Sequence, residues 1–535
     1  MLKTLHYFSR FLLYLLLVLI PIIAYIYLYN IAVDASNGHT YLQVYLELPL
    51  LVMILFLLYI PYKSLFKNAF LAFLPLLSLY IVYDIFYYFL KRSARLSDFS
   101  NIVMLNDFSF LMMLGMIFFV FLTIIPISLL FLGFRTKNYR KNRALLLSKL
   151  FMMGSLFFLF FTNNNYLIKN FNYINYSQAK TIKYNGRFAS FIYYDCMSHI
   201  SAQKVISYQK KDVNISQILF PNKNLHKKRN IHLIVLESFV DPRLFKNISY
   251  NRSPLSNSLK KYLGKEGFSY LKSPIYGGGT AQAEFEILTG IRAFGKIDSV
   301  DFNTLRGEKM SGFIDSLSEQ GYSNYASIAT SSEYFNSIAA YGSIGLKHLQ
   351  FLEETPSYSI RKGDAHIFDG DLFDYNIKRI KSFPKNKPYL LYTLGMYGHI
   401  PYQRNKVRPS IIFPSTKDHR VKRIANQFYY RTKALAKYID EILTIDPHAI
   451  IYISSDHLPS ILNAGIKYKK ERKINIALLL IDGKNVPING LRFYQVPRYL
   501  WHYLNDTHTE FKDNHSREEE KNVYFKALSQ SLNHD

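Results

Sequence analysis

The residues in this chain best suited to chemistry are a threonine behind three glycines and three polar groups elsewhere. The first stretch reads Tyr276-Gly277-Gly278-Gly279-Thr280-Ala281-Gln282-Ala283-Glu284-Phe285-Glu286. Glycines let the backbone adopt positive φ and approach a ligand closely. The run from Ala281 to Thr289 can wind as a helix, with Gly290 placed to stop it. A helix start offers free N–H groups and the positive end of a dipole, which suit a phosphate. A hydroxyl held there is a nucleophile once its pKa is lowered. Glu237 follows Ile-Val-Leu, and Asp456 with His457 follows Ile-Tyr-Ile-Ser-Ser, so all three stand where strands end. Two carboxylates and an imidazole suit Zn²⁺, Mn²⁺ or Mg²⁺, and Thr280 can supply a fourth ligand. A divalent ion there would bring the threonine alkoxide within reach near neutral pH. A lone strand-end Glu is more often a cap or surface residue, and an Asp-His pair more often a turn. The combination is what points to a site.

These residues need a scaffold, and the pattern after His226-Lys227-Lys228-Arg229 supplies one. Short apolar runs read as buried strands at Ile231–Leu236, Tyr389–Leu394, Ile450–Ser454 and Ile474–Ile481. Helical stretches such as Glu308–Gln320 and Asn426–Leu443 separate them. The alternation predicts a mainly parallel sheet with helices on both faces. Ligands in such folds collect at the carboxyl ends of the strands.

The first third is different. Five apolar runs, near Phe8–Tyr29, Val44–Tyr62, Ala69–Leu90, Phe110–Phe134 and Leu146–Thr162, approach or exceed the length that crosses a bilayer. The first is longer than a signal-peptide core, and four more follow. Lys3 and Arg10, then Lys63 and Lys67, then Arg135, Lys137, Arg140, Lys141 and Arg143 mark the cytoplasmic side. Lys91, Arg92 and Arg95 run against that scheme, and the strong fourth loop decides it. The expected organisation is a five-span transmembrane domain over 1–162 with its N-terminus in the cytoplasm. A linker follows over 163–228, whose Tyr173–Met197 stretch suits interfacial helices as well as an ordinary packed linker. A catalytic α/β domain over 229–535 lies on the extracytoplasmic side.

Composition adds bounds. The chain has 535 residues, a formal charge of +27 and one cysteine, Cys196. An intrachain disulfide and a cysteine-based zinc cluster are therefore excluded. The charge suits anionic lipid headgroups or an acidic glycan, and a Lys-rich compositional bias explains it equally well. No nucleic-acid-binding module is present.

In combination, the motifs resemble the lipoteichoic acid synthase branch of the alkaline phosphatase/sulfatase superfamily. Val235-Leu236-Glu237-Ser238-Phe239 is similar to its first metal motif, Gly279-Thr280 through Ala283-Glu284-Phe285 to its nucleophile motif, and Ser455-Asp456-His457 to its closing metal motif. The five-span layout matches as well. The resemblance implies Glu237, Thr280, Asp456 and His457 as ligands of one or more divalent metal ions, with Thr280 as nucleophile. His399, in Met396-Tyr397-Gly398-His399-Ile400-Pro401, resembles the family's substrate-site histidine, which contacts the phosphate or assists proton transfer. Gly279, Phe335 and Ser337 are further expected substrate contacts. His366, Asp369 and Asp371 are weaker candidates that can also serve as caps for a helix near Leu372–Lys381.

One departure bears on the substrate. The synthase pattern has a Trp and an Arg that grip glycerol phosphate, and here Phe335 and Ser337 stand at those places. Asp456-His457-Leu458 resembles the Gram-negative transferases of phosphoglycerol or phosphoethanolamine more closely. The implied activity is transfer of phosphoethanolamine or phosphoglycerol from a membrane phospholipid to an envelope glycan such as lipopolysaccharide or capsule, at the bacterial inner membrane. Two alternatives remain open at this level: a metal-dependent phosphodiesterase or sulfatase-type hydrolase, and a membrane scaffold without catalysis. The sulfatase form is disfavoured, because Cys196 sits in no Cys/Ser-x-Pro-x-Arg-like motif.

Overall fold

The computed structural model describes residues 2–33, 46–61, 64–90, 93, 121–130, 132, 147–155, 166–208, 213–221, 224–298, 300–354, 360–402, 406–461 and 466–532. The chain divides into two compact units, Met1–Ile200 and Ser201–Asp535.

In the first unit, two helices are long and apolar enough to cross a membrane, over Leu5–Tyr29 and Leu65–Ile85. They coincide with the first and third predicted runs. The second run contains a shorter apolar helix, Glu47–Leu58. The fourth contains Phe121–Leu130, and most of the rest of it lies outside the described residues, as does the end of the fifth. The apolar interior of this unit includes Tyr14, Val18, Leu55, Ala72 and Tyr80.

Polar groups are embedded among them, and the charged ones Glu47, Asp84, Arg187 and Lys149 have clear partners. Glu47 is buried and accepts bonds from the N–H groups of Phe188 (3.1 Å) and Ala189 (3.0 Å) and from the Tyr80 hydroxyl. Those N–H groups open the Arg187–Tyr208 helix, so a carboxylate distant in sequence satisfies donors that the helix itself cannot. Gly186 makes the approach possible: a Cβ there would lie 2.4 Å from that of Glu47. Arg187 and Asp84 form a buried ion pair at 2.6 Å, and Tyr25 donates to the same carboxylate at 3.0 Å. Lys149, inside the fifth predicted run, donates to the carbonyls of Leu57 (2.7 Å) and Tyr59 (2.6 Å). These are the acceptors left over at the end of the Glu47–Leu58 helix.

The second unit is built on a seven-stranded sheet. Its strands are β1 (Ile231–Leu236), β2 (Ser269–Lys272), β3 (Ser323–Ile328), β4 (Tyr389–Gly395), β5 (Ile450–Ser455), β6 (Ile474–Ile481) and β7 (Lys484–Asn485). The spatial order is β2-β6-β5-β1-β4-β3, with β7 on β6. The central strands are apolar on both faces, as strands covered by helices on each side must be. Ile231, Leu233 and Val235 point to one core, with the Thr280–Thr289, Phe313–Glu319, Gln495–Leu504 and Arg517–Ser531 helices. Ile234 and Leu236 point to the other, with the Asn257–Leu263, Asp369–Ser382 and His419–Ile445 helices.

The sheet is mixed, and the expectation of a mainly parallel one needs correction. The β1–β4, β1–β5 and β3–β4 pairings are parallel, while β5–β6, β2–β6 and β6–β7 are antiparallel. A parallel neighbour needs a crossover, usually a helix, to carry the chain back to the starting edge. Among the described residues between β5 and β6 there is no α-helix, so β6 returns beside β5 in the opposite sense.

Candidate active site

β1 and β5 pair in register, with Leu236 opposite Ser455. Glu237 and Asp456 are the next residues on each strand, so the sheet delivers two carboxylates side by side at its carboxyl edge. Thr280 opens the Thr280–Thr289 helix, and Gly277, Gly278 and Gly279 before it all have positive φ. Gly279 is left-handed at 85°, a conformation that costs an L-residue energy and costs glycine none. This turn brings the Thr280 hydroxyl to 2.9 Å from Glu237 Oε2 and 2.7 Å from Asp456 Oδ2. His457 Nε2 lies 3.2 Å from Asp456 Oδ2 and 3.6 Å from Glu237 Oε1. All four side chains are buried.

This donor set fits a divalent cation. A hydroxyl has one proton and cannot satisfy two carboxylate oxygens. His457 Nδ1 donates to the Leu458 carbonyl at 3.1 Å, which turns Nε2 toward the same oxygens, where it can carry a proton between them or, deprotonated, bind a cation. The ligand atoms of Glu237, Asp456 and His457 all lie within 4.8 Å of one another. Electrostatics agree. Burial and the Glu237 charge push Asp456 up to about 7. Burial opposes ionisation of Glu237 too, but His457, His399 and the Ser238 hydroxyl outweigh it and bring Glu237 to about 2. Two adjacent buried carboxylates cannot both ionise without a positive charge between them.

Ser238 ties the two carboxylates together, and sequence reasoning gave it no role. Its hydroxyl donates to Glu237 Oε1 (2.7 Å) and its N–H to Asp456 Oδ1 (2.8 Å). It does so at φ 50°, left-handed for a residue with a side chain. Such strain persists where surrounding contacts enforce it, often at functional sites.

Arg431 is the second missed residue. It lies in the buried stripe of the His419–Ile445 helix and gives Nη1 to the Glu237 carbonyl at 3.0 Å. Its Nε pairs with Asp369 at 2.6 Å. Asp369 is therefore a buried counter-ion. The N-cap of its helix is Phe368, which makes no side-chain capping bond. Asp371 pairs with Arg361 at 3.6 Å. Gly398 packs so closely here that a Cβ would lie 1.9 Å from the Glu237 carbonyl oxygen.

His399 follows β4, part-exposed. Its Nδ1 donates to the Ile400 carbonyl at 2.6 Å, which leaves Nε2 as its acceptor. The His366 ring meets it edge-on, with centroids 5.0 Å apart. Burial is the main cause that lowers the His366 pKa to about 4, so that imidazole is neutral. Phe335 has φ 47° and packs partly buried against the core. The Ser337 hydroxyl is turned back onto the Tyr334 carbonyl in a buried setting. Among the described residues, no hydrogen bond, ion pair or ring contact joins Phe335 or Ser337 to Glu237, Asp456 or Thr280.

On the Thr280–Thr289 helix, Glu284 accepts from Tyr341 and Tyr392, both at 2.5 Å, and burial raises it to about 7. Gln282 and Asp301 exchange bonds at 2.8 and 2.9 Å, and Tyr524 donates to Asp301 at 2.5 Å. A framework of phenols and carboxyls thus fixes the helix that carries Thr280.

Parts of the chain are similar to known proteins. A curated Rhizobium meliloti protein, described as a cyclic beta-1,2-glucan modification protein, is 22% identical over 293 residues; the match covers 54% of this chain and 44% of that protein. Among solved structures, the Streptococcus pyogenes phosphoglycerol transferase GacH with sn-glycerol-1-phosphate is 18% identical, with TM-score 0.45, over 62% of this chain and 92% of that one. The lipoteichoic acid synthase LtaP from Listeria monocytogenes is 16% identical, with TM-score 0.43, over 60% of this chain and 80% of that one. The sulfatase family model matches residues 229–488, a stretch that holds Glu237, Thr280, His399, Asp456 and His457. Residues 229–488 are thus similar to the sulfatase family.

Proposed function

We propose that the chain is a membrane-anchored transferase that moves a phospho-alcohol group, phosphoethanolamine or phosphoglycerol, from a phospholipid to an envelope glycan. One observation carries this proposal: a threonine hydroxyl, held at a helix start by three glycines, lies within hydrogen-bond distance of two buried carboxylates with an imidazole beside them. Glu237, Thr280, Asp456 and His457 would hold a divalent ion (Mn²⁺, Zn²⁺ or Mg²⁺), which when bound would lower the hydroxyl pKa and offset phosphate charge.

Thr280 Oγ attacks the headgroup phosphorus. The bond from phosphorus to the glycerol oxygen breaks, and diacylglycerol leaves with a proton. A phosphodiester of Thr280 with the alcohol remains. A sugar hydroxyl then attacks the same phosphorus, and Thr280 Oγ leaves with the proton that hydroxyl gives up. Dividing the transfer in two lowers each barrier. His399, with Nδ1 committed to Ile400, offers Nε2 to carry that proton. The N–H groups at the start of the Thr280–Thr289 helix orient the phosphate. Gly279 permits close approach, and Phe335 and Ser337 are assigned to the outer part of the headgroup site.

The organisation proposed with this chemistry is a five-span membrane domain over 1–162, a linker over 163–228 and an extracytoplasmic catalytic domain over 229–535. A site tethered beside its lipid donor gains effective concentration. A threonine at the nucleophile position favours phosphoryl over sulfuryl transfer, and Cys196 lies far along the chain in the Arg187–Tyr208 helix. The test is Thr280→Ala assayed with labelled phosphatidylethanolamine and phosphatidylglycerol. The expected result is no labelled glycan from either lipid and no labelled protein, with the unfolding midpoint unchanged. Full transfer by this variant overturns the mechanism. Label released to water instead of glycan by the parent assigns a hydrolase.

A further inference from the structure

We infer that the surface beside His399 is a docking face for an anionic phospholipid bilayer. Seven large apolar side chains are markedly exposed among the described residues from Ser201 onward, and three of them fall between His399 and Pro414. These are Ile400 (54% exposed), Val407 (59%) and Phe413 (47%). The same surface is basic. Residues 406–423 contain six Lys or Arg, of which Arg408 is turned inward onto Asp364, and one acid; residues 466–473 contain five and one. The two acids are engaged, Asp418 by Arg420 and Glu471 by Lys272.

The segments form one continuous strip. The Lys246 N–H donates to the Lys467 carbonyl at 2.8 Å, and Asn251 donates to the Phe413 carbonyl at 3.1 Å. Tyr250 bridges Pro414, and Lys422 sits over the Phe413 ring at 4.4 Å. Beneath the strip lies a separate apolar cluster that includes Phe245, Tyr402, Val421, Leu458 and Tyr468. That cluster reaches the nucleophile turn: Tyr276 packs on it, and Gly277 donates to the Leu458 carbonyl at 3.1 Å. The strip and the active site therefore share one support.

Cations interleaved with exposed aliphatic and aromatic side chains match a lipid surface. The charges meet headgroup phosphates, and the apolar tips gain by entering the acyl boundary. An acidic glycan would reward the charges but not Ile400, Val407 and Phe413, which it cannot bury. The inference concerns where the domain sits and holds whichever group the site transfers.

The test uses the full chain carrying Phe413→Trp, reconstituted in phosphatidylglycerol/phosphatidylcholine vesicles with brominated acyl chains. Trp501, the chain's own tryptophan, is 2% exposed and is shielded from the quencher. Strong quenching of the new tryptophan is expected. It should fall at least about twofold at 1 M salt, where the screening length shrinks from about 10 to about 3 Å. The same fall is expected when Lys246, Lys417, Lys422 and Lys467 are each changed to Glu, with the unfolding midpoint retained. No quenching, or quenching indifferent to charge reversal and salt, overturns the inference. So does protection of these lysines from acylation by a soluble anionic polysaccharide in the absence of quenching, which assigns the face to a glycan. Retention of the chain on vesicles after a high-salt wash reports anchoring by the N-terminal unit separately.

Discussion

Replacing Asp369 with alanine should unsettle the candidate site without altering any residue around Thr280. The Arg431–Asp369 pair is short, at 2.6 Å, and both side chains are nearly inaccessible, at 3% and 0%. Removing the carboxylate strands a guanidinium in the interior. Breaking such a pair on one side costs about 3–5 kcal/mol. That is a large part of the total stability of about 5–15 kcal/mol typical of a folded domain. Arg431 also holds the Glu237 carbonyl, so its displacement should weaken divalent-metal binding by roughly 10–100-fold, as loss of supporting contacts does elsewhere. Guanidinium unfolding followed by Trp501 emission reads the first effect, because Trp501 lies in the core of the same unit. Metal titration reads the second. The pair Asp369→Ala with Arg431→Met removes the stranded charge and refills its volume. It should recover at least about 2 kcal/mol over the single variant. A single variant within about 0.5 kcal/mol of the parent would refute the reasoning, since that is the range of ordinary surface changes.

Stability should also depend on pH in a characteristic direction. Burial is the leading cause that raises Glu284 and Asp301 to about 7 and Glu286 to about 8. Each binds its proton more tightly folded than unfolded, so its contribution is complete below about 4 and is lost as pH rises through about 7–8. In chelator, Glu284→Gln should lose less stability between pH 5 and pH 8 than the parent, by up to roughly 3 kcal/mol; an identical loss in both excludes Glu284 as a source. Gly398→Ala forces a Cβ against the Glu237 carbonyl oxygen, and the purified variant should retain at least about tenfold less divalent metal after dialysis. Gly186→Ala combines φ 93° with a clash on Glu47, and should lower the thermal midpoint of the first unit; an unchanged midpoint would show that the Arg187–Tyr208 helix start can shift at no cost.

Much of this architecture is legible in the sequence where one physical signal dominates. Continuous apolar runs locate β1, β4, β5 and β6 to within a residue, because strands covered on both faces cannot hide their composition. The expected Asn426–Leu443 helix is longer in the structure, His419–Ile445, because Asp418 caps it through the Arg420 N–H and its buried stripe already starts at Val421 and Ile424. The expected Glu308–Gln320 helix is shorter, Phe313–Glu319, since Gly312 interrupts it. β2 and β3 were not legible. Ser269–Lys272 and Ser323–Ile328 mix polar with apolar residues, as strands toward a sheet edge do. At the site, Glu237, Thr280, Asp456 and His457 are visible because each ends a strand or opens a helix. Ser238 acts through an unusual backbone angle, and Arg431 through a carbonyl 194 positions away, so neither leaves a local trace.

The side-by-side arrival of Glu237 and Asp456 has a consequence for how this site can change over time. The gap between the two carboxylates is a property of strand register, not of either residue's neighbours in sequence. Any apolar replacement within β1 or β5 leaves that gap as it is. One inserted or deleted residue in either strand would rotate every following side chain to the opposite face, sending a carboxylate toward an apolar core. The strands are therefore free in spelling and fixed in length. Distant relatives should differ widely in the letters of these two segments, while sharing the count of residues from pairing onset to carboxylate.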